Sequence, residues 1–357
     1  DICGHADLIQ TMFDLSSLAN ACISESLNCL HHWLAKELGQ PQDANGKTER
    51  MIVLAMGKLG AYELNYSSDI DLIFVYPQAG ETHGDGRTTS NEQFFTRLSK
   101  QLIASLDLRT GDGFVFRVDM RLRPFGDSGP LVISLEAMEN YYQSHGREWE
   151  RYAFIKARVV TGDPESSNEL VQMLRPFVYR RYLDYGAYES LREMKQLIVA
   201  EVERKGLKDN VKLGAGGIRE IEFIGQAFQL IRGGRDPELQ QKQILHTLDV
   251  LVEKQQLPLF VVEELKTAYQ FLRTTEHRLQ QVRDAQTHQL PSNIDEQHCL
   301  ALSMGYDSWD AFYKQLQTYR QRVRNHFYQV FESPQISQSD EADKSLQLKQ
   351  LWLQKLD

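Results

Sequence analysis

The chain has 357 residues, 41% hydrophobic and 25% charged, which is enough apolar material for a buried core and suggests two or three domains rather than a disordered chain. Lys plus Arg number 40 against 49 Asp plus Glu, a net charge of −9, which disfavours a protein that mainly coats nucleic acid. The four cysteines form no CxxC pair, and the longest apolar run, residues 51–56, is too short to cross a bilayer, so no zinc cluster, disulfide framework or membrane span is expected.

Residues 17–34 carry Leu18, Cys22, Ile23, Leu27, Leu30 and Leu34 at helical spacing, with Gly39 as a stop and a polar loop over 40–50. The period then changes. Residues 51–56 and 70–76 read as short apolar strands, and 78–91 as a Gly/Thr-rich loop. A helix over 94–106, a strand over 113–122 and a short strand over 131–134 follow. Alternating strands and helices argue for a mixed α/β arrangement. Beyond residue 162 no strand is expected. Helices over 218–232, 259–283 and 309–331 suggest a bundle, with a polar linker at 335–343 and a further helix at 346–356. The fold class expected is therefore α+β: an N-terminal helical segment (1–45), a mixed-sheet catalytic domain (46–162), a helical bundle domain (163–333) and a linker with the start of another helix (334–357). The start at Asp1 rather than Met reads as a piece of something longer. The absence of a leader pattern, with cysteines read as reduced thiols, points to the cytoplasm.

The chemistry sits between 56 and 76. A strand runs into Gly57-Lys58, a short turn or helix follows, and Asp69-Ile70-Asp71 opens the next strand. Side chains two apart on a strand share a face, roughly 6.5–7 Å apart along the backbone. Asp69 and Asp71 therefore converge, with Ile70, Leu72 and Phe74 turned into the core. Two carboxylates held together call for a cation, and oxygen ligands favour Mg²⁺. A third acid, Asp119, lies on an alternating run in which Phe114, Phe116, Val118, Met120 and Leu122 share one face and Arg117, Asp119, Arg121 and Arg123 the other. Pairing of the two strands would surround one metal position with three acids and flank it with arginines. That set suits phosphoryl or nucleotidyl transfer, in which two metals about 3.5–4 Å apart clamp the reacting oxygens. Arg121 and Arg123 match phosphate oxygens, and the backbone at Gly57-Lys58 and Ser67-Ser68 can cradle others. A lone Asp-x-Asp is weak, and Gly57-Lys58 is no P-loop. The ordered combination is what carries the reading.

Other candidates are weaker. His31-His32 lacks a third ligand nearby, and Glu220 and Glu222 do not share a helix face. The basic-aromatic run 175–192 fits an interdomain helix as well as it fits RNA stacking, and the net charge favours the former. Residues 214–217 (GAGG) form a helix start able to take an anion.

The strand–Gly–Asp-x-Asp pattern resembles the nucleotidyltransferase superfamily of DNA polymerase β. Residues 57–60 (GKLG), 63–65 (ELN), 67–74 (SSDIDLIF), 117–126 (RVDMRLRPFG), 149–152 (WERY) and 216–223 (GGIREIEF) resemble the family of bifunctional glutamine synthetase adenylyltransferase/adenylyl-removing enzymes. The runs 63–71 (ELNYSSDID) and 217–223 (GIREIEF) look like its N-terminal, deadenylylating half. Two departures stand out: Ala61-Tyr62 where a further glycine is usual, and no second half. The resemblance implies a polymerase β-like catalytic domain that removes AMP from a tyrosine of glutamine synthetase by phosphorolysis, using inorganic phosphate and releasing ADP. It implies Asp69, Asp71 and Asp119 as catalytic acids binding Mg²⁺, as two ions, or Mn²⁺. It also implies glutamine synthetase, the PII protein and a C-terminal adenylylating half as partners, with no nucleic acid and no membrane. The competing readings are AMP attachment from ATP and a catalytically silent regulatory fold.

Overall fold

The structure, a computed structural model, describes residues 4–84, 88–180 and 208–331. Cys3, most of the 175–192 run, the linker at 335–343 and the helix expected at 346–356, with the rest of 334–357, lie outside the described residues. Of the described residues, 9–180 form one compact unit and 208–331 the body of a second. The first is mixed helix and sheet. No described helix is long and apolar enough to cross a membrane.

In the first unit α1 (Leu8–Leu38) is followed by β1 (Gln40–Gln42), β2 (Ile52–Ala55), the one-turn α2 (Gly57–Gly60), β3 (Ile70–Tyr76) and β4 (Glu81–His83). Then come α3 (Asn91–Asp107), β5 (Val118–Asp119), β6 (Val132–Ser134), α4 (Leu135–Ser144), α5 (Glu148–Phe154), β7 (Arg158–Thr161) and α6 (Pro164–Val178). The main sheet runs β5-β3-β2-β7, with β6 also pairing β3. β2 is antiparallel to β3 and β7, whereas β5 and β6 pair β3 in parallel at its two ends. All four β2 residues are buried, as the unbroken apolar run requires of a central strand.

One face of the sheet packs on α1 and α3. Val53, Ala55, Ile70, Leu72 and Phe74 cluster with Ala19, Ile23, Leu27 and Leu34 of α1 and Phe94, Phe95, Leu98 and Leu102 of α3. Ser90 caps α3 by accepting from the Gln93 N–H (3.2 Å). His31 is buried edge-on against Phe94, whereas His32 is exposed. The second unit contains α7 (Ile218–Arg232), α8 (Ile244–Glu253), α9 (Leu259–Gln281), α10 (Ile294–Ser303) and α11 (Trp309–Phe331), with no strand among its described residues. The 214–217 turn is filled from α11: Arg320 Nε donates to the Ala215 carbonyl and Nη2 to the Lys208 carbonyl, both at 2.8 Å.

The strand expected over 113–122 is only two residues long. The Val115 and Phe116 N–H groups both donate to the Leu106 carbonyl, closing the end of α3 instead of extending a sheet. After Asp119 the backbone turns at once, with the Arg121 N–H on the Asp119 side chain. The regions read as loops at 40–50 and 78–91 contribute β1 and β4, which pair as a small antiparallel sheet. β7 escaped the sequence reading because its four residues are each half-buried and do not alternate.

Between β1 and β2, Glu49 is 3% exposed and its Oε2 has no hydrogen-bond partner. Burial, then Asp43, pushes its carboxyl up from 4.5 to about 7, with Lys47 opposing and Asp163 adding to the rise. The folded state therefore holds a proton that the unfolded chain releases near its ordinary value. The stability gained from that proton is complete below pH 4.5 and is lost as pH rises through about 7. Glu49→Gln should raise the melting temperature at pH 8 by about 2–4 °C and leave it unchanged at pH 4, as scanning calorimetry at the two pH values would show.

Candidate active site

Asp69 immediately precedes β3 and Asp71 is the strand's second residue. β5 lies parallel to this end of β3, with Ile70 opposite Val118 and Asp71 opposite Asp119. Register partners in a parallel pair project to the same side, and the two-residue period adds Asp69. The alternate residues go to the other side: Ile70, Leu72 and Met120 enter the core, and Phe116 and Val118 pack against it. The structure thus gathers Asp69, Asp71 and Asp119 on the face opposite that core.

Arg121 joins them. Its N–H donates to Asp119 Oδ1 (2.8 Å), its Nε to both oxygens (3.0 and 2.8 Å), and its Nη2 also bonds Oδ2. These bonds hold the Asp119 carboxyl below the usual carboxylate range against the opposing effect of burial. The guanidinium is stabilised in turn, first by Asp119 and then by the fields of Asp69 and Asp71. The Arg121 side chain is 73% exposed and that of Asp119 12%, so the pair opens to solvent from the arginine side. Arg123 turns elsewhere. Its Nη1 donates to the Met120 carbonyl (2.8 Å) and lies 3.7 Å from Asp127, bracing the loop that follows β5.

The other wall is the turn after β2. Gly57 has φ +53°, and a Cβ there would stand 2.8 Å from Asp71 Oδ2. Only glycine allows both that conformation and that approach. Lys58 follows on α2, and its carbonyl accepts the Glu63 N–H at 2.8 Å. Ser67 is buried and its hydroxyl accepts from Arg117 Nη2 at 2.6 Å. Ser68 is half-buried between Ser67 and Asp69. The Arg117 carbonyl takes the Ile70 N–H (2.8 Å), and its guanidinium lies over the Phe114 ring at 5.1 Å. Arg117 therefore fixes the segment entering the first acid.

A clamp missed by sequence reasoning secures 57–65. Lys156 Nζ and Glu63 Oε2 form a buried ion pair at 2.7 Å. A Cβ on Gly60 would fall 2.0 Å from the Lys156 carbonyl oxygen, so the two segments touch backbone to backbone. Arg158 of β7 donates to the Gly60 carbonyl (3.1 Å), the Leu59 carbonyl (3.0 Å) and Asn20 Oδ1 (3.0 Å). Its guanidinium sits 3.9 Å over the Tyr62 ring, which also stacks on Phe13 at 5.4 Å. Tyr62 has φ +58°, a left-handed conformation that glycine adopts without cost. The ring contacts hold that conformation in a residue with a side chain. Glu63 lay within a quoted motif, but nothing in the sequence links it to a lysine 93 residues away.

An all-carboxylate donor set suits a hard dication in kind. In the structure Asp119 is turned to Arg121, and among the described residues no three His, Cys, Asp or Glu side chains form a metal-holding cluster. Acids and an arginine on one face, beside a glycine turn, are equipped to bind and orient a phosphoryl group.

Residues 1–173 match the family described as Glutamate-ammonia ligase adenylyltransferase, and residues 192–331 that described as GlnD PII-uridylyltransferase. The chain is 56% identical over 354 residues to a bifunctional glutamine synthetase adenylyltransferase/adenylyl-removing enzyme of Nitrosococcus oceani, covering 99% of this chain and 36% of that protein. It is 55% identical over 343 residues to the Pseudomonas aeruginosa enzyme of the same name (96% and 35%) and 48% identical over 356 residues to that of Hahella chejuensis (100% and 37%). Over nearly its whole length the chain is similar to these relatives, and it spans about a third of their length. Lys156→Met, which takes the cation of a buried ion pair away from Glu63, should cost the sheet unit about 3–5 kcal/mol in urea unfolding, and Glu63→Gln in the same background should restore part of that loss.

Proposed function

We propose that this chain removes AMP from an adenylylated tyrosine of glutamine synthetase by phosphate-dependent phosphorolysis, releasing ADP. The observation that carries the reading is the register of Asp71 beside Asp119 with Asp69 on the same face. The 63–71 and 217–223 runs support the deadenylylating direction over AMP attachment from ATP. A silent fold is disfavoured because three mutually repelling acids on one face have no structural use.

A phosphate oxygen attacks the adenylyl phosphorus, the bond from phosphorus to the tyrosine oxygen breaks, and the phenolate leaves. Phosphate is already an anion at neutral pH, so little general-base help is needed and the main obstacle is repulsion between two anions. Arg121, exposed and strongly cationic, offsets that repulsion once its guanidinium swings from Asp119 to a phosphate. Arg123, close enough to act on the Asp119 carboxyl, adds positive field from its braced position. The Gly57-Lys58 turn and Ser67-Ser68 border the same face. Asp69, Asp71 and Asp119 are the residues that would hold Mg²⁺ or Mn²⁺, as two ions. Bound there, such ions supply charge neutralisation and alignment for in-line displacement.

In this reading the sheet unit has the polymerase β-like arrangement. The helical unit helps to dock glutamine synthetase and connects to the PII protein and a C-terminal adenylylating half, all in the cytoplasm, with neither nucleic acid nor membrane as partner. Incubation with adenylylated glutamine synthetase, phosphate and Mg²⁺ should release ADP. AMP attachment from ATP without ADP release would reverse the direction. Asp69→Asn and Asp71→Asn should each abolish turnover with unchanged circular dichroism, and retained turnover would refute the site.

A further inference from the structure

The loop after β5 presents an aromatic ring that the phosphoryl chemistry leaves unused. Phe125 is 52% exposed and has φ +61°, a left-handed conformation rare for a residue with a bulky side chain. Core packing does not explain it, since half the residue remains in water.

The conformation is secured from below. Beneath the Phe125 ring the Tyr141 hydroxyl donates to Glu150 Oε1 at 3.0 Å. Glu150 is 2% exposed, and its other oxygen accepts the Arg147 N–H at 2.8 Å, capping α5. The Phe125 carbonyl accepts from Ser128 Oγ at 2.9 Å. The ring leans on the buried Tyr141 ring in a T-shaped contact, centroids 4.5 Å apart. A chain of buried groups reaching to α5 thus holds one aromatic ring out of the surface.

The backbone that carries the ring also returns to the residues that follow Asp119. The Gly126 N–H donates to the Arg123 carbonyl (2.9 Å), and a Cβ on Gly126 would lie 3.8 Å from the Arg121 carbonyl oxygen. The loop therefore doubles back against the residue whose guanidinium holds Asp119. The groups assigned to the phosphoryl chemistry are acids, arginines, a lysine, serines and a glycine, suited to phosphate and not to a base.

We infer that Phe125 is the stacking platform for the nucleobase of the transferred nucleotide. The inference rests on the AMP-transfer reading above and assigns the base-binding element that the reading lacks. A ring held rigidly at the rim stacks on a planar base with little loss of freedom, and such stacking does not require hydrogen-bond readout.

The test is titration calorimetry of the 357-residue chain with ADP and, separately, with inorganic pyrophosphate, both with Mg²⁺. Phe125→Ala should weaken ADP about tenfold and leave pyrophosphate unchanged, and Phe125→Tyr and Phe125→Trp should keep ADP near wild-type affinity. Wild-type ADP affinity in Phe125→Ala would overturn the inference. So would equal losses of ADP and pyrophosphate, which would mark a loop brace only. If the Phe125 pattern holds while adenylylated glutamine synthetase is not phosphorolysed, the reaction assignment falls and the stacking assignment stands. A wild-type chain that binds no ADP would take both down.

Discussion

The site depends on holding like charges together. Asp71 and Asp119 are register partners on adjacent strands, with Asp69 two residues along the same face. Left alone, such a trio would raise one another's proton affinity or spring apart. The fold opposes both outcomes. β3 is anchored on the other side by Ile70, Leu72 and Phe74 in the core, so the acids cannot rotate away without exposing that surface. Arg121 supplies the compensating charge from within the same loop. The Asp119 carboxyl consequently stays ionised, and the arginine that keeps it so is the most exposed member of the group.

The turn from Gly57 to Asn65 makes a second rigid wall, assembled from distant parts of the chain. Ser16 of α1, Lys156 and Arg158 contribute bonds to it, and Asn20 of α1 accepts from that same Arg158. The N-terminal helix is therefore part of the site's scaffold as well as a cover for the sheet. Similar logic organises the far side, where Glu150 and Tyr141 brace the loop behind Arg123. Residues 149–152, legible only as a signature, acquire a physical role: Glu150 caps a helix and holds a tyrosine, and Arg151 is buried with its guanidinium on the Val178 carbonyl.

The sequence revealed those features whose cause is local. β3 falls at 70–76, α7 at 218–232 and α11 at 309–331, as read from periodicity, because each buries a continuous stripe. The three acids were legible for the same reason: alternation with core residues fixes which side they take. Features set by distant partners were not. The run 113–122 alternates like a strand, yet Val115 and Phe116 bond the end of α3 and only Val118 and Asp119 pair with β3 as strand. Arg121 and Arg123 look equivalent by spacing, but a turn after Asp119 sends one to a carboxylate and the other to a carbonyl. The left-handed backbones of Tyr62 and Phe125 leave no mark in the residue types themselves.

The brevity of β5 has a mechanical consequence. Two paired residues are too few to set a strand's position, so the third acid takes its placement from the last turn of α3, through the Leu106 carbonyl and the Asp107 side chain, whose Oδ1 receives the Val118 N–H at 3.3 Å. That helix end works as a strut. Two of the acids are fixed by the sheet and one by a helix, and a small tilt of the helix would alter the spacing among them while leaving the sheet intact.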